Sequence, residues 1–238
     1  MSPSPTSFSA DRPAASARPQ PDFPEPLAFW EEPRPIDRLH FIASTPLQAA
    51  QACAGGVRWV QLRVKSQPYA VWRQLAVDTQ AVCHRFGATF IINDNPQLTQ
   101  EIGADGVHLG RQDMPADEAR AILGPAVIIG GTANTLADME ELVAAGVDYI
   151  GLGPFRFTTT KANLSPILGL AGYRELLAQF GAAGHRVPVI GIGGIGRDDV
   201  ALLRAAGLHG VAVAGAIAGA HEPAVAAAGF LRSLATAP

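Results

Sequence analysis

Asp148-Tyr-Ile-Gly-Leu-Gly-Pro-Phe-Arg-Phe-Thr158-Thr-Thr160-Lys161 opens as a short apolar run and then breaks into hydroxyls and a single ammonium. A run that is apolar on both faces and ends in polar residues reads as a buried parallel strand delivering functional groups to one rim of a sheet. The pattern recurs on both sides of this stretch. Leu39–Ser44, Trp59–Val64, Thr89–Asp94, Gly106–Gly110, Val127–Thr132, Tyr149–Pro154, Pro188–Gly193 and Gly210–Gly215 make eight such runs. Amphipathic stretches of helical spacing lie between them, among them Ala70–Phe86, Leu136–Ala145, Gly169–Phe180 and Asp198–Ala206. Eight strands alternating with helices in about two hundred residues predict an α/β fold, a compact (β/α)8 TIM barrel. An open doubly wound sheet is the rival. Its usual glycine fingerprint is missing, because the first run passes into Ser44-Thr-Pro46.

Of the chain's 238 residues, 48% are hydrophobic, enough for a sizeable core in one barrel domain over residues 36–238. Residues 1–35 are rich in Pro, Ser and Ala and hold nine prolines, which predicts a loosely packed or disordered tail. A net charge of -3 and a pI near 6.0 give no global field for nucleic acid or an acidic membrane surface, so neither is expected as a partner. No apolar run reaches the roughly eighteen residues that a membrane span needs. Cys53 and Cys83 lie in helical patterns, read as small buried hydrophobes, and a cytoplasmic enzyme is the expectation. The pattern leaves a homo-oligomer open.

In a barrel, the C-terminal strand ends carry the chemistry. The second run ends with Gln61, Arg63 and Lys65, two apart, so strand alternation sends all three to one face and Leu62 and Val64 to the other. Lys65 and Lys161 are the only lysines, against sixteen arginines, and such sparing use points to positions that need a compact point charge. The third run ends Asn93-Asp94-Asn95-Pro96, and the fourth leads into Gly110-Arg-Gln-Asp113. Either acid could simply start a helix. Together, on adjacent strands, Asp94 and Asp113 could hold a Mg2+ ion that keeps its waters and meets substrate phosphate oxygens. His108 is expected to be a hydrogen-bonded core residue. Thr132 offers a hydroxyl at the fifth strand end, and the glycines after strands seven and eight let backbone N–H groups approach an anion. Together these groups suit two phosphate-bearing ligands, and no Ser or Cys nucleophile paired with a base stands out.

Gln61-Leu-Arg-Val-Lys65, Asn93-Asp94, Asp105-Gly-Val-His-Leu-Gly-Arg-Gln-Asp113, Gly151 to Lys161 and Ile190-Gly-Ile-Gly-Gly-Ile195 resemble, in order, the motifs of the thiamine phosphate synthase family. The resemblance implies a transferase that joins hydroxymethylpyrimidine diphosphate to thiazole phosphate, with Mg2+ as cofactor and small phosphorylated molecules as partners. It implies that Gln61, Leu62, Arg63, Val64, Lys65 and Asn93 hold the pyrimidine diphosphate, that Asp94 and Asp113 ligate the metal, and that Thr132 and Lys161 contact the diphosphate. It assigns the thiazole phosphate to Thr158, Thr159 and Thr160 with backbone at Gly194, Ala214 and Gly215, and makes Arg63, Lys65 and Lys161 the catalytic cations. Val64, Arg111, Thr132 and Gly215 depart from the family's frequent Glu, Gln, Ser and Ser. A thiazole tautomerase-like paralogue and a non-catalytic phosphate-ligand sensor are the alternatives.

Overall fold

The structure, a computed structural model, describes residue 1 and residues 35–158 and 165–236. Residues 2–34, which hold nearly all of the expected tail, lie outside the described residues, as do 159–164 with Thr159, Thr160 and Lys161.

Eight strands pair in sequence order: β1 (Leu39–Ala43), β2 (Trp59–Leu62), β3 (Thr89–Asn93), β4 (Gly106–Leu109), β5 (Ile128–Ala133), β6 (Tyr149–Leu152), β7 (Val189–Ile192) and β8 (Gly210–Val213). All are parallel, and β8 returns to β1 with Leu39 opposite Val211, so the sheet closes. Closure excludes the open doubly wound sheet and gives the (β/α)8 barrel. Around it run α1 (Pro46–Ala54), α2 (Tyr69–Phe86), α3 (Pro96–Ile102), α4 (Ala116–Leu123), α5 (Leu136–Ala144), α6 (Gly169–Ala182), α7 (Val200–Ala205), the short α8 (Gly215–Ala218) and α9 (Pro223–Thr236).

Local sequence sets these boundaries. Thr45 caps α1 by accepting from Gln48 N–H at 3.3 Å, with Pro46 in the first turn. Thr135 and Asp138 form a capping box on α5. Most strands stop before the apolar runs do, β2 at Leu62 and not Val64, β8 at Val213 and not Gly215, because the chain turns into loops there. The expected helix over Asp198–Ala206 divides into a 3-10 turn, Arg197–Asp199, and α7.

Alternation along the strands sorts the core into two layers. Leu39, Phe41, Val60, Leu62, Phe90, Ile92, Ile129, Ile150, Leu152 and Val211 face the helices. Trp59, Ile91, Ile128, Tyr149, Ile190 and Ala212 pack together as a second cluster in the barrel interior, with Ile36, Ile42 and Ile192 against them. Cys53 and Cys83 are free, buried thiols, as expected of small hydrophobes. Among the described residues no helix is long and apolar enough to cross a membrane.

Candidate active site

The rim at the C-terminal strand ends is built on two carboxylates. Asp94 follows β3 directly and takes a left-handed backbone, φ 67°, a conformation that costs a non-glycine residue roughly 1 kcal/mol. Its N–H donates to the His108 carbonyl at 2.8 Å, extending the β3–β4 pairing by one residue. Neither acid starts a helix. Asn95 caps α3, accepting from Leu98 N–H at 2.8 Å. Pro115 stands at the head of α4, and Asp113 instead accepts from Gly110 N–H at 2.7 Å, closing the turn after β4. Both carboxylates are thus released from capping and meet each other. The residue Asp94 is open to solvent at the mouth, yet its carboxyl group is crowded by protein and hydrogen-bonded to Asp113. Burial first, then the bond to Asp113 and its charge, push the Asp94 carboxyl up to about 7, against a smaller opposing pull from Arg63 and Asn93.

Below this pair a polar column runs through the barrel interior. Gln61 bonds the hydroxyl of Tyr149, which is itself fully buried. That hydroxyl lies 3.0 Å from His108 Nδ1, and His108 Nε2 lies 3.0 Å from Thr132 Oγ1. The expectation of a hydrogen-bonded core histidine at 108 is met, and the structure adds that this histidine holds the Thr132 hydroxyl. Burial, ahead of the charges of His108 and His209, lowers the pKa of His40, which stacks on Trp59 at 4.3 Å and meets Tyr149 edge-on at 5.0 Å. Space for the column comes from glycine. Gly130 is the β5 partner of Tyr149, and a Cβ there would lie 2.1 Å from the Tyr149 ring.

Across the mouth, the loops after β6 and β7 are tied together. Arg156 makes a bidentate pair with Asp199, both contacts at 2.6 Å, and donates to the Gly194 carbonyl at 3.0 Å. Gly194 has φ 67°, and a Cβ on it would sit 2.9 Å from the Phe157 carbonyl, so a larger residue would press the two loops apart. Asn134 donates to the Gly153 carbonyl and accepts from Ser165 Oγ at 2.7 Å, fixing both ends of the loop that contains 159–164. Ala214 and Gly215 open α8 at the end of β8. Arg111, a departure from the family pattern, pairs with Asp138 at 3.2 Å and so bridges the β4 loop to the capping box of α5.

The expected site residues therefore fall into groups. Arg63, Asn93, Asp94 and Asp113 act on one another, and Gln61 and Thr132 join through Tyr149 and His108. Leu62 is buried in the outer layer and Val64 packs against it, which leaves their backbones, not their side chains, for a ligand. Lys65 lies beyond the end of β2 and is exposed, so its direction is set by the loop, where Ser66 takes φ 54°, and not by strand alternation. Thr158, half-buried, is the last described residue before 159–164. Tyr149, Asn134, Arg156 and Asp199 were not foreseen. Inward-facing glycines at 106, 130 and 151 were the available sign that large side chains fill the interior. No group of three or more His, Cys, Asp or Glu able to hold a metal occurs among the described residues. Two converging carboxylates, whose mutual repulsion helps push the Asp94 pKa up, have the donor chemistry for a hard cation that retains most of its waters and would hold both in the ionised form.

A family model described as thiamine monophosphate synthase matches residues 38–217, from the start of β1 through β8. A thiamine-phosphate synthase of Phocaeicola vulgatus is 49% identical over 175 residues, covering 74% of this chain and 84% of that protein. Another, of Flavobacterium johnsoniae, is 51% identical over 172 residues, 72% of this chain and 81% of its own. The solved structure of a thiamine phosphate pyrophosphorylase from Pyrococcus furiosus superposes with a TM-score of 0.73 at 27% identity, over 83% of this chain and 95% of that one. Agreement of this length, strand by strand around the closed barrel, shows that the chain belongs to the thiamine monophosphate synthase family.

Proposed function

We propose that this barrel joins hydroxymethylpyrimidine diphosphate to hydroxyethylthiazole phosphate, forming thiamine phosphate and releasing diphosphate. The observation that carries this reading is the convergence of Arg63 with the Asp94–Asp113 pair on one side of the mouth, opposite the glycine-rich ends of β7 and β8. The first cluster suits a diphosphate and its counter-ion, and the second offers backbone N–H groups to a monophosphate. In the reaction the bond from the pyrimidine methylene to the diphosphate oxygen breaks, with the electron pair leaving on oxygen, and a bond from that carbon to the thiazole nitrogen forms.

Asp94 and Asp113 would hold Mg2+, which when bound would supply positive charge on the diphosphate side. Arg63 and Lys65 would add cationic charge on the same side, and Lys161 would complete it from the loop after β6. Asn93 and Gln61 would orient the pyrimidine from the ends of β3 and β2. Thr132, fixed by His108, would present its hydroxyl to the diphosphate, and Thr158 to Thr160 with the backbone at Gly194, Ala214 and Gly215 would seat the thiazole phosphate. In this scheme proton transfer to a side chain is not needed for bond formation. A cytoplasmic setting is supported by the two free thiols, the state a reducing compartment preserves. The test is product formation by the purified protein from both precursors with Mg2+; folded protein that yields no thiamine phosphate would falsify the reading.

A further inference from the structure

The N-terminal face of the barrel, at the opposite ends of the strands from the carboxylate pair, contains a cavity of about 470 Å³. The later turns of α6 and the end of α7 flank it, and the residues entering β7 and β8 form its base. Three arginines, Arg174, Arg186 and Arg204, line it together with His185 and His209, and among the described residues its wall contains no Asp or Glu. Leu177, Phe180, Val187 and Leu208 supply an apolar side. Among the described residues, none of the three arginines is in an ion pair, whereas Arg73, Arg111, Arg120, Arg156 and Arg197 all have one.

In a chain whose acids outnumber its Lys and Arg by 21 to 18, three unpaired guanidinium groups around one cavity are a local reversal of charge. Packing accounts for part of one of them. Arg204 Nη1 donates to the carbonyls of Leu208 and His209, the latter at 2.8 Å, which ties α7 to the entry of β8. Its Nε is buried and has no partner, a donor left unsatisfied at a place where most buried donors are paired. Burial, then the nearby charge of Arg38, lowers the pKa of Arg204, as expected where cations are gathered without a counter-charge. Arg186 spends one N–H on the His185 carbonyl at 2.9 Å, and Arg174 has no hydrogen bond among the described residues. The His185 ring is held against Phe180 at 4.7 Å, and His209 Nε2 donates to the Ile36 carbonyl at 2.7 Å, so both imidazoles are fixed at the cavity.

We propose that this cavity is a second anion site, separate from the strand-end site, which binds a small polyanion bearing phosphate or carboxylate groups through Arg174, Arg186 and Arg204. Guanidinium forks match both kinds of oxyanion, and the apolar side accepts a hydrocarbon or ring portion of the same molecule.

The test uses the full-length chain with Arg63→Gln and Lys65→Gln, which weakens anion binding at the strand-end site, titrated without Mg2+ by calorimetry. The probes are pyrophosphate and citrate. The expected result is one equivalent of at least one probe, lost by a factor of ten or more when Arg174→Gln and Arg186→Gln are added. Pyrophosphate alone binding assigns a phosphate ligand, and citrate alone a polycarboxylate. Both substituted side chains are exposed, so melting temperature should not change, and in the otherwise native chain the same pair should leave thiamine phosphate synthesis at its normal rate. Failure of both probes to bind more tightly than about 1 mM, or binding that survives Arg174→Gln and Arg186→Gln, overturns the proposal.

Discussion

Tyr149→Phe isolates one oxygen in the middle of the barrel. The ring would keep its packing against Trp59 at 5.6 Å and His40 at 5.0 Å, so no cavity beyond the hydroxyl is created. What is lost is the partner of His108 Nδ1 at 3.0 Å and of the Gln61 side chain. His108 is 8% exposed and Gln61 6%, so water cannot readily replace the hydroxyl. A buried polar group deprived of its partner costs about 1–3 kcal/mol, and since His108 keeps its contact with Thr132, the lower half of that range is expected. About 1–2 kcal/mol lowers the folding equilibrium constant by roughly 5- to 30-fold, which urea unfolding resolves as a lower midpoint at unchanged slope. The second readout is catalytic. His108 would no longer be braced while it holds Thr132, so kcat for the condensation should fall although residue 149 touches no phosphate in the proposed arrangement. Unfolding within about 0.3 kcal/mol of the native protein, together with unaltered kcat, would refute the claim that this column is a connected support.

Asp94 gives a pH dependence of definite sign. Its folded-state pKa stands above the ordinary 3.8, so the protonated form is favoured by folding; this contribution is complete below the unfolded value and disappears as pH rises toward about 7. Mg2+ favours the ionised pair, so it should raise the melting temperature more at pH 8 than at pH 5.5, and Asp113→Asn should shrink that difference; an equal shift at both pH values would count against a metal at these carboxylates. Gly130→Ala places a methyl 2.1 Å from the Tyr149 ring, and because both strands are locked in register the expected loss is about 1–3 kcal/mol, the usual range for overpacking, with the shortfall checked by the same urea series. Arg156→Ala breaks a pair that is half exposed on one side, so stability should fall by about 1 kcal/mol or less, while KM for the thiazole phosphate rises as the β6 and β7 loops separate; an unchanged KM would remove Arg156 from any role in shaping that loop.

The barrel was legible because strands buried on both faces read as continuous apolar runs, and each of the eight runs does contain a strand. Their ends were less so. Strand alternation predicted a common direction for Gln61, Arg63 and Lys65, but β2 stops at Leu62, and Lys65 is placed by the loop where Ser66 adopts a positive φ. Asp94 and Asp113 could be singled out from their strand-end positions, yet only the structure shows that Asn95 and Pro115 head the neighbouring helices and leave both carboxylates available. Tyr149 looked like any aromatic core residue. Its function depends on register, since Gly130 is directly opposite and His108 is one strand further on, and a single sequence does not contain that pairing. Arg111 likewise had no legible partner, because Asp138 lies 27 residues away at the start of another helix.

The two levels of the barrel interior explain why these polar residues can be buried at all. Trp59, Ile91, Ile128, Ile190 and Ala212 supply the apolar packing, and Gln61, Tyr149, His108 and Thr132 lead from it to the rim, each with a partner in the next. A satisfied column of this kind is stiff, because moving one member leaves its neighbours unpaired in a region of low dielectric. The groups at the rim are constrained differently. Asp94 sits in a strained backbone conformation beside a second carboxylate, and the pair is relieved when Asp94 takes a proton or, under the proposed function, when a cation neutralises the two charges. Under the proposed function, the stiff column would fix where the pyrimidine end of the substrate rests, while the carboxylate pair would gain from a metal and diphosphate. That division predicts that substitutions in the column change kcat even when metal affinity is normal, and that substitutions of Asp94 or Asp113 change the Mg2+ requirement before they change the fold.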